Sequence, residues 1–247
     1  MASSPLSFYL RHVRGTAPPK SGESLSYGTL LHLWAELGPD QFWSLVREAP
    51  ADVVTSTGQF GKAAEAWLSK QEKDAIPVSP ADAAKLRAQT EQILANDAAR
   101  ECLEQSIDRE FNVRWVWHGH AMRCRCDGAT ASYWFDWKTT RDADPLKTFW
   151  RAVADFGYDL QSAVYESAAV AAGWPNHRLR FICTSTAWPH HCAVVTLPEA
   201  VVRRGRKRAL ALLAELQQRK EWDSWMPADY GRVHELECPK FMHEGSR

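Results

Sequence analysis

The sequence predicts an α/β fold: a mixed central sheet flanked by helices, with a helical N-terminal part. Three observations predict it. Residues 26 to 104 are dominated by helical periodicity, residues 107 to 138 alternate with the two-residue period of strands, and residues 145 to 222 run helix, two strands, helix. Helices that precede, interrupt and follow strands in this order bury their apolar stripes against the sheet.

Residues 1 to 24 are polar, contain Pro18-Pro19 and read as a flexible arm; residues 25 to 240 read as a single domain and residues 241 to 247 as a tail. Ser26 to Glu36 reads as a helix because Leu30, Leu31, Leu33, Trp34 and Leu37 fall at helical spacing, and Gly38-Pro39 ends it. A loop follows, then a second helix from Gly61 to Lys73. Ser79 before Pro80 offers an N-cap and an early proline, opening a helix from Ala81 to about Glu104. Strands fill 107 to 138, with turns expected near Gly119 and Gly128. Asp144-Pro145 starts a long helix to Ala172, closed by Gly173. Arg178 to Thr184 and Cys192 to Leu197 are strand-like, and Pro198-Glu199 opens a last helix to about Trp222.

A chain of 247 residues with 45% hydrophobic and 24% charged residues has ample material for a core. The net charge of zero points to no partner class. Between His177 and Lys220, however, nine Lys/Arg stand against two Asp/Glu, while between Glu65 and Glu110 six stand against ten. The basic stretch suits either a phosphate-binding face or a solvated helix face. Arg203, Arg204, Arg206, Lys207 and Arg208 carry most of it, beside an expected buried stripe of Val202, Leu210 and Leu213. The opening residues MASSPLSFYLRHVRG lack the apolar stretch of a secretory signal, and no run approaches a membrane span of about 20 apolar residues. Six cysteines without framework spacing fit free thiols in a reducing compartment, so the cytoplasm is expected.

The stretch RCRCDGATASYWFDWKTT holds the residues that carry chemistry. Asp127 is followed nine residues later by Asp136-Trp137-Lys138. Two carboxylates and a lysine at this spacing can hold a divalent metal and activate water beside a phosphodiester. Strand side chains alternate, so Asp136 and Lys138 point one way with Trp134, and Tyr133, Phe135 and Trp137 point the other, into core. By the same alternation Arg123, Arg125 and Asp127 share one face, and Cys124 and Cys126 the opposite one. Taken alone the pattern is unspecific: Asp127 before Gly128 also suits a turn, and Asp136 with Lys138 an exposed charge pair. Three further features bear on it. Glu104 closes a helix 23 residues before Asp127, Gln161 and Tyr165 lie at i and i+4 on the helix after the strand block, and His32 stands among leucines as either ligand or core histidine. His118, His120, Cys124 and Cys126 form H-x-H-x3-C-x-C, but alternation turns the cysteines inward, so buried thiols are expected rather than zinc.

E-Q-S at 104–106, R-C-R-C-D at 123–127, D-W-K-T-T at 136–140 and Y-D-L-Q-S-A-V-Y at 158–165 occur in this order. Together they resemble the exonuclease VIII (RecE-type) family of PD-(D/E)xK nucleases. S-Y-G-T-L-L-H at 26–32 resembles that family's early histidine motif, and the tail with Trp222, Trp225, Pro227, Tyr230 and Pro239 is similar to its C-terminal segment. Two departures stand out. Cys126 precedes Asp127 where the family often has proline, and the stretch from Glu104 to Asp127 is long for it, which makes Glu110 a competing third carboxylate.

The resemblance implies a restriction-endonuclease-like core and a metal-dependent exonuclease. It implies that Asp127, Asp136, Glu104, His32 and the backbone carbonyl of Trp137 bind Mg²⁺ or Mn²⁺, with His32 favouring Mn²⁺. Lys138 would orient the attacking water, Gln161 would position water or substrate, Arg123 and Arg125 would grip phosphates, and Tyr165 would line the channel. It further implies digestion of linear duplex DNA from the 5′ end in recombination or phage DNA processing, with a single-strand annealing partner and a homo-oligomeric ring. The alternatives are a nuclease of single-strand or nicking preference, and a non-catalytic DNA-binding protein of a recombination complex.

Overall fold

The computed structural model describes residues 5–16, 27–55, 60–61, 64–226 and 232–233. The chain divides into two compact units, Lys20–Ala214 and a smaller one in which Met1–Pro19 joins Glu215–Arg247. In the smaller unit α1 (Pro5–Phe8) runs into a π-helical turn (Tyr9–Val13), and Tyr9 stacks on Trp225 with centroids 5.1 Å apart. The expected arm is thus helical over residues 5–13. The rest of it beyond residue 16, the tail 241–247, and Pro227, Tyr230 and Pro239 lie outside the described residues.

The larger unit opens with α2 (Tyr27–Leu37), α3 (Pro39–Leu45), β1 (Val46–Glu48) and α4 (Ala64–Leu68). Pro39 ends one helix and, at N1, begins the next. The helix expected from Gly61 to Lys73 holds only over α4: Ala64 and Trp67 pack on Ala49 and Val53, and SKQEKD beyond Leu68 brings nothing apolar to bury. β2 (Ile76–Val78) pairs in parallel with β1. The helix expected to run to Glu104 is two, α5 (Pro80–Ala95) and α6 (Asp97–Glu104). Asn96 breaks it: its backbone is extended, and its side chain accepts the Ala99 N–H at 3.0 Å as a new N-cap while donating to Cys192 O at 3.0 Å.

The main sheet holds β3 (Asp108–Trp117), β4 (His120–Ala129), β5 (Tyr133–Thr140), β6 (Arg178–Ser185) and β7 (Cys192–Thr196), in that spatial order. Only β5 and β6 run parallel, so the sheet is mixed as expected. A parallel neighbour needs a long crossover, supplied by α7 (Pro145–Phe156) and α8 (Tyr158–Ala171). The single helix expected there is interrupted by Gly157, whose left-handed backbone (φ 69°) a helix interior cannot contain. The chain continues into α9 (Glu199–Trp222).

β5 lies at the centre and is buried on both faces. Tyr133, Phe135 and Trp137 pack under Leu31 and Trp34 of α2 and Leu86 and Ile93 of α5. Trp134 packs with Phe181 of β6, Phe149 and Val153 of α7 and Ala163 of α8. The face expected to be polar is therefore core at Trp134, and Asp136 beside it is only 4% exposed. Gly128 corrects a second expectation. It sits inside β4, where a Cβ would lie 2.0 Å from the Phe135 ring, and the turn falls at Thr130, which caps Tyr133. The buried stripe of α9 is Val202, Gly205 and Ala209 rather than Val202, Leu210 and Leu213. Gly205 is required there because a Cβ would stand 1.9 Å from Asp159 O of α8, the two helices crossing backbone to backbone.

Candidate metal centre

β4 and β5 share only two ladder pairs, Gly128↔Phe135 and Ala129↔Trp134, and beyond them each strand follows its other neighbour. The strands part where Asp127 and Asp136 begin. Asp127 spans the opening: its Oδ2 accepts the backbone N–H of Trp137 at 2.7 Å, a donor that the broken ladder leaves over. The ladder between β3 and β4 is broken at the same level. Pairs run from Arg109↔Gly128 to Phe111↔Cys126, and the skipped residues are Glu110 and Asp127. Glu110 takes a left-handed backbone (φ 48°), rare for a residue with a side chain.

Helix α2 supplies the third group. With Leu30, Leu31 and Trp34 buried on β5, His32 is carried to the opened strands. His32 Nδ1 lies 3.4 Å from Asp127 Oδ2 and 3.7 Å from Glu110 Oε1, yet it is buried and makes no hydrogen bond. One ligand atom from each of His32, Glu110 and Asp127 can be chosen so that all three lie within 4.8 Å of one another. Arg125 Nε holds the other Glu110 oxygen at 2.9 Å.

Asp136 flanks this cluster with both oxygens engaged. Gln161 Nε2 of α8 donates to Oδ1 at 2.6 Å, and Lys138 Nζ pairs with Oδ2. Lys138 Nζ also stands 5.0 Å over the Tyr158 ring, so the lysine is held between a carboxylate and an aromatic face. Tyr165, one turn beyond Gln161, donates its hydroxyl to Arg125 O at 2.6 Å and fastens α8 to β4.

Crowding these acids in a half-dry opening changes their proton affinities. Burial first, then the charges of Asp136 and Glu110, push Asp127 up to about 8 against the pull of the Trp137 N–H and Lys138. Burial likewise raises Glu110, only partly offset by Arg125. His32 moves down, chiefly through burial, so its ring is neutral at pH 7 and keeps a lone pair to donate. Raised carboxylates and an unbonded buried imidazole nitrogen are groups short of a cation. One imidazole with carboxylate oxygens is a donor set that divalent metals accept.

The sequence-predicted residues divide accordingly. His32, Asp127, Asp136, Trp137, Lys138 and Gln161 are brought together. Glu104 is not: it lies at the end of α6, mostly exposed, paired with Arg100 at 3.6 Å, and Glu110 stands in the cluster instead. Arg123 and Arg125 alternate outward as expected, but Arg125 is engaged with Glu110. Tyr158 was missed as a contact of Lys138, although it lies three residues before Gln161 on the same helix face.

A family model described as a PDDEXK-like domain of unknown function (DUF3799) matches residues 7–233. The chain belongs to this PDDEXK-like family. Asp127 and Asp136-x-Lys138 meet the acidic and lysine letters of the PDDEXK pattern, with Cys126 where the proline would stand. A search of curated protein sequences finds no match. Among solved structures, the crystal structure of a protein from Eubacterium rectale, whose description as an exonuclease is provisional, is similar with a TM-score of 0.62. The match covers 98% of this chain and 86% of that one at 11% identity. At that identity the likeness shows a common PDDEXK-like fold.

Proposed function

We propose that the protein is a divalent-metal-dependent deoxyribonuclease of the exonuclease VIII type that digests linear duplex DNA from its ends, 5′ to 3′, in recombination or phage DNA processing. One observation carries the metal-dependent reading: His32, Glu110 and Asp127 converge within 4.8 Å beside the Asp136–Lys138 pair, in a chain of the PDDEXK-like family. The duplex-end, polarity and recombination parts rest on the resemblance of the ordered motifs at 104–106, 123–127, 136–140 and 158–165 to the exonuclease VIII family.

His32, Glu110, Asp127 and Asp136 would hold Mg²⁺ or Mn²⁺, with the Trp137 carbonyl as a further oxygen. When bound, such a cation neutralises non-bridging phosphate oxygens and makes its bound water more acidic. The chain's own residues do the rest. Asp136, pinned by Gln161, keeps Lys138 at the cluster, where its ammonium orients the attacking water and offsets charge building on the phosphate. Arg125 fixes Glu110, and Arg123 remains on the outer face to meet the DNA backbone.

The test is digestion of end-labelled linear duplex with Mg²⁺, Mn²⁺ or EDTA, with Lys138→Ala alongside. Metal-dependent mononucleotide release, reduced at least about a hundredfold by the substitution, is expected, with the 5′ label released first. No release from folded protein under either metal would sink the enzyme reading and favour DNA binding without cleavage.

A further inference from the structure

Beside Lys138 a cleft opens between the C-terminal end of β5 and helix α7. Thr140 and Thr148 line its wall, its far rim is Phe156, and among the described residues Lys138 is the charged one lining it, while the Thr139 hydroxyl turns to the opposite face of β5, toward Gly28 of α2. Phe156, the last residue of α7, is 63% exposed. Its ring is not isolated. It stacks on Tyr158 (centroids 5.8 Å, 28°), Tyr158 stacks on Phe181 (5.1 Å, 23°), and Lys138 Nζ lies 5.0 Å over that same Tyr158 ring.

Gly157 makes the stack possible. Residues i and i+2 of a continuous helix point roughly 200° apart and cannot stack. The left-handed turn at Gly157 ends α7 and restarts the chain as α8, so that Phe156 and Tyr158 meet. A backbone break that serves no buried packing at Phe156 thus leaves an aromatic surface in water, at the outer end of a ring series that finishes under the reactive lysine.

We propose that this cleft is a nucleobase subsite, in which Phe156 stacks on the base of an unpaired nucleotide next to the phosphodiester being cut. The inference rests on the nuclease reading and deepens it. A cleft lined by one lysine and by Thr140 and Thr148, with no carboxylate among its described lining residues and a flat ring at its rim, suits a sugar and base rather than a phosphate cluster or a cationic peptide. The base on Phe156 extends the series Phe181–Tyr158–Phe156 by one ring, while its phosphate lies toward Lys138. A base inside a duplex has no free face for this contact, so in this proposal the contact is made at the duplex end, by a nucleotide that has left its partner. Stacking of this kind is sequence-tolerant, since every base has a π-face.

The experiment uses the full chain and a duplex with a terminal 5-iododeoxyuridine, irradiated in EDTA so that binding is separated from cleavage. Photocrosslinking to the peptide that holds Phe156 is expected. In metal, Phe156→Ala should raise KM for unmodified duplex about tenfold with kcat nearly unchanged, and Phe156→Trp should restore it. If wild-type protein digests DNA while the crosslink maps elsewhere, or if Phe156→Ala leaves KM unmoved, the subsite is wrong and the nuclease reading stands. If the wild type neither binds nor digests DNA with metal, both fall together. Phe156 is a surface residue, so its variants fold, which circular dichroism checks.

Discussion

Glu110 is held in a backbone conformation that costs a residue with a side chain about 1–3 kcal/mol, at the one position where the β3–β4 ladder skips a pair. Opposite it is Asp127, and two carboxylates facing each other on neighbouring strands repel. The fold therefore carries backbone strain where two carboxyls meet, the repulsion is avoided by the raised proton affinity of Asp127, and a bound cation would take that proton's place. Glu104, on the surface with Arg100, has neither burden. Glu110→Gln should weaken the apparent metal affinity, read from the metal dependence of digestion, at least about tenfold. Glu104→Gln should leave it within about twofold. Equal losses would show that the carboxylate at 104 reaches the metal in the working enzyme.

The site is an effect of elements as much as of residues. β4 is bound to β3 on both sides of the skipped pair and β5 to β6 along its length, so the wedge between β4 and β5 is held on both sides. α2 closes one face of that wedge through Trp34 on Trp137, and α8 the other through Gln161 and Tyr165. α8 is in turn locked to α9. Asp159, fully buried, is bonded to Arg204 at 3.1 Å and to Arg208 at 2.7 Å. Burial would raise its pKa, but the two guanidiniums outweigh burial and hold it below the usual carboxylate value. Two of the five clustered basic residues of α9 thus serve packing, and Arg203, Arg206 and Lys207 face water. Because Gly205 permits the close crossing, Gly205→Ala should destabilise the protein by about 1–3 kcal/mol in urea unfolding, and unchanged stability would mean that the helices can part at no cost.

What the sequence makes legible follows from range. The shared strand face of Asp136 and Lys138 and the shared helix face of Gln161 and Tyr165 are legible in the sequence because two-residue and four-residue periods assign faces locally. Gly128 was misread because its function, making room for the Phe135 ring, belongs to a neighbouring strand. The breaks at Asn96 and Gly157 were missed because helical periodicity continues through both, while the cap and the left-handed turn act between elements.

At the scale of the whole molecule, the pH dependence of stability is set by the groups whose proton affinity differs between the folded and the unfolded chain. Asp127, with its carboxyl raised to about 8 by burial and by Asp136, keeps its proton in the metal-free fold and loses it on unfolding. The folded state then binds more protons than the unfolded one, so stability falls as pH rises from 6.5 to 8, by at most about 1.4 kcal/mol per pH unit. His32, lowered in the fold, acts in the opposite sense but only below its ordinary value near 6.5. In EDTA the melting temperature should therefore drop across that window, and Asp127→Asn should flatten the slope. Mn²⁺ should raise the melting temperature more at pH 8 than at 6.5, since it competes with the proton for Asp127. A slope unaffected by Asp127→Asn would show that the carboxyl is already ionised without metal.

The sequence by itself determined the α/β class, the central strands and the order His32, Asp127, Asp136, Lys138, Gln161, because periodicity and motif spacing are local properties of the chain. Only the tertiary structure decided that Glu110 rather than Glu104 completes the cluster, that Arg125 and Gln161 orient its carboxylates, and that Phe156 stands exposed beside Lys138. Those outcomes depend on where a ladder skips a pair, where two strands part and how a left-handed glycine turns one helix into the next, and each arises from contacts between segments far apart in the chain.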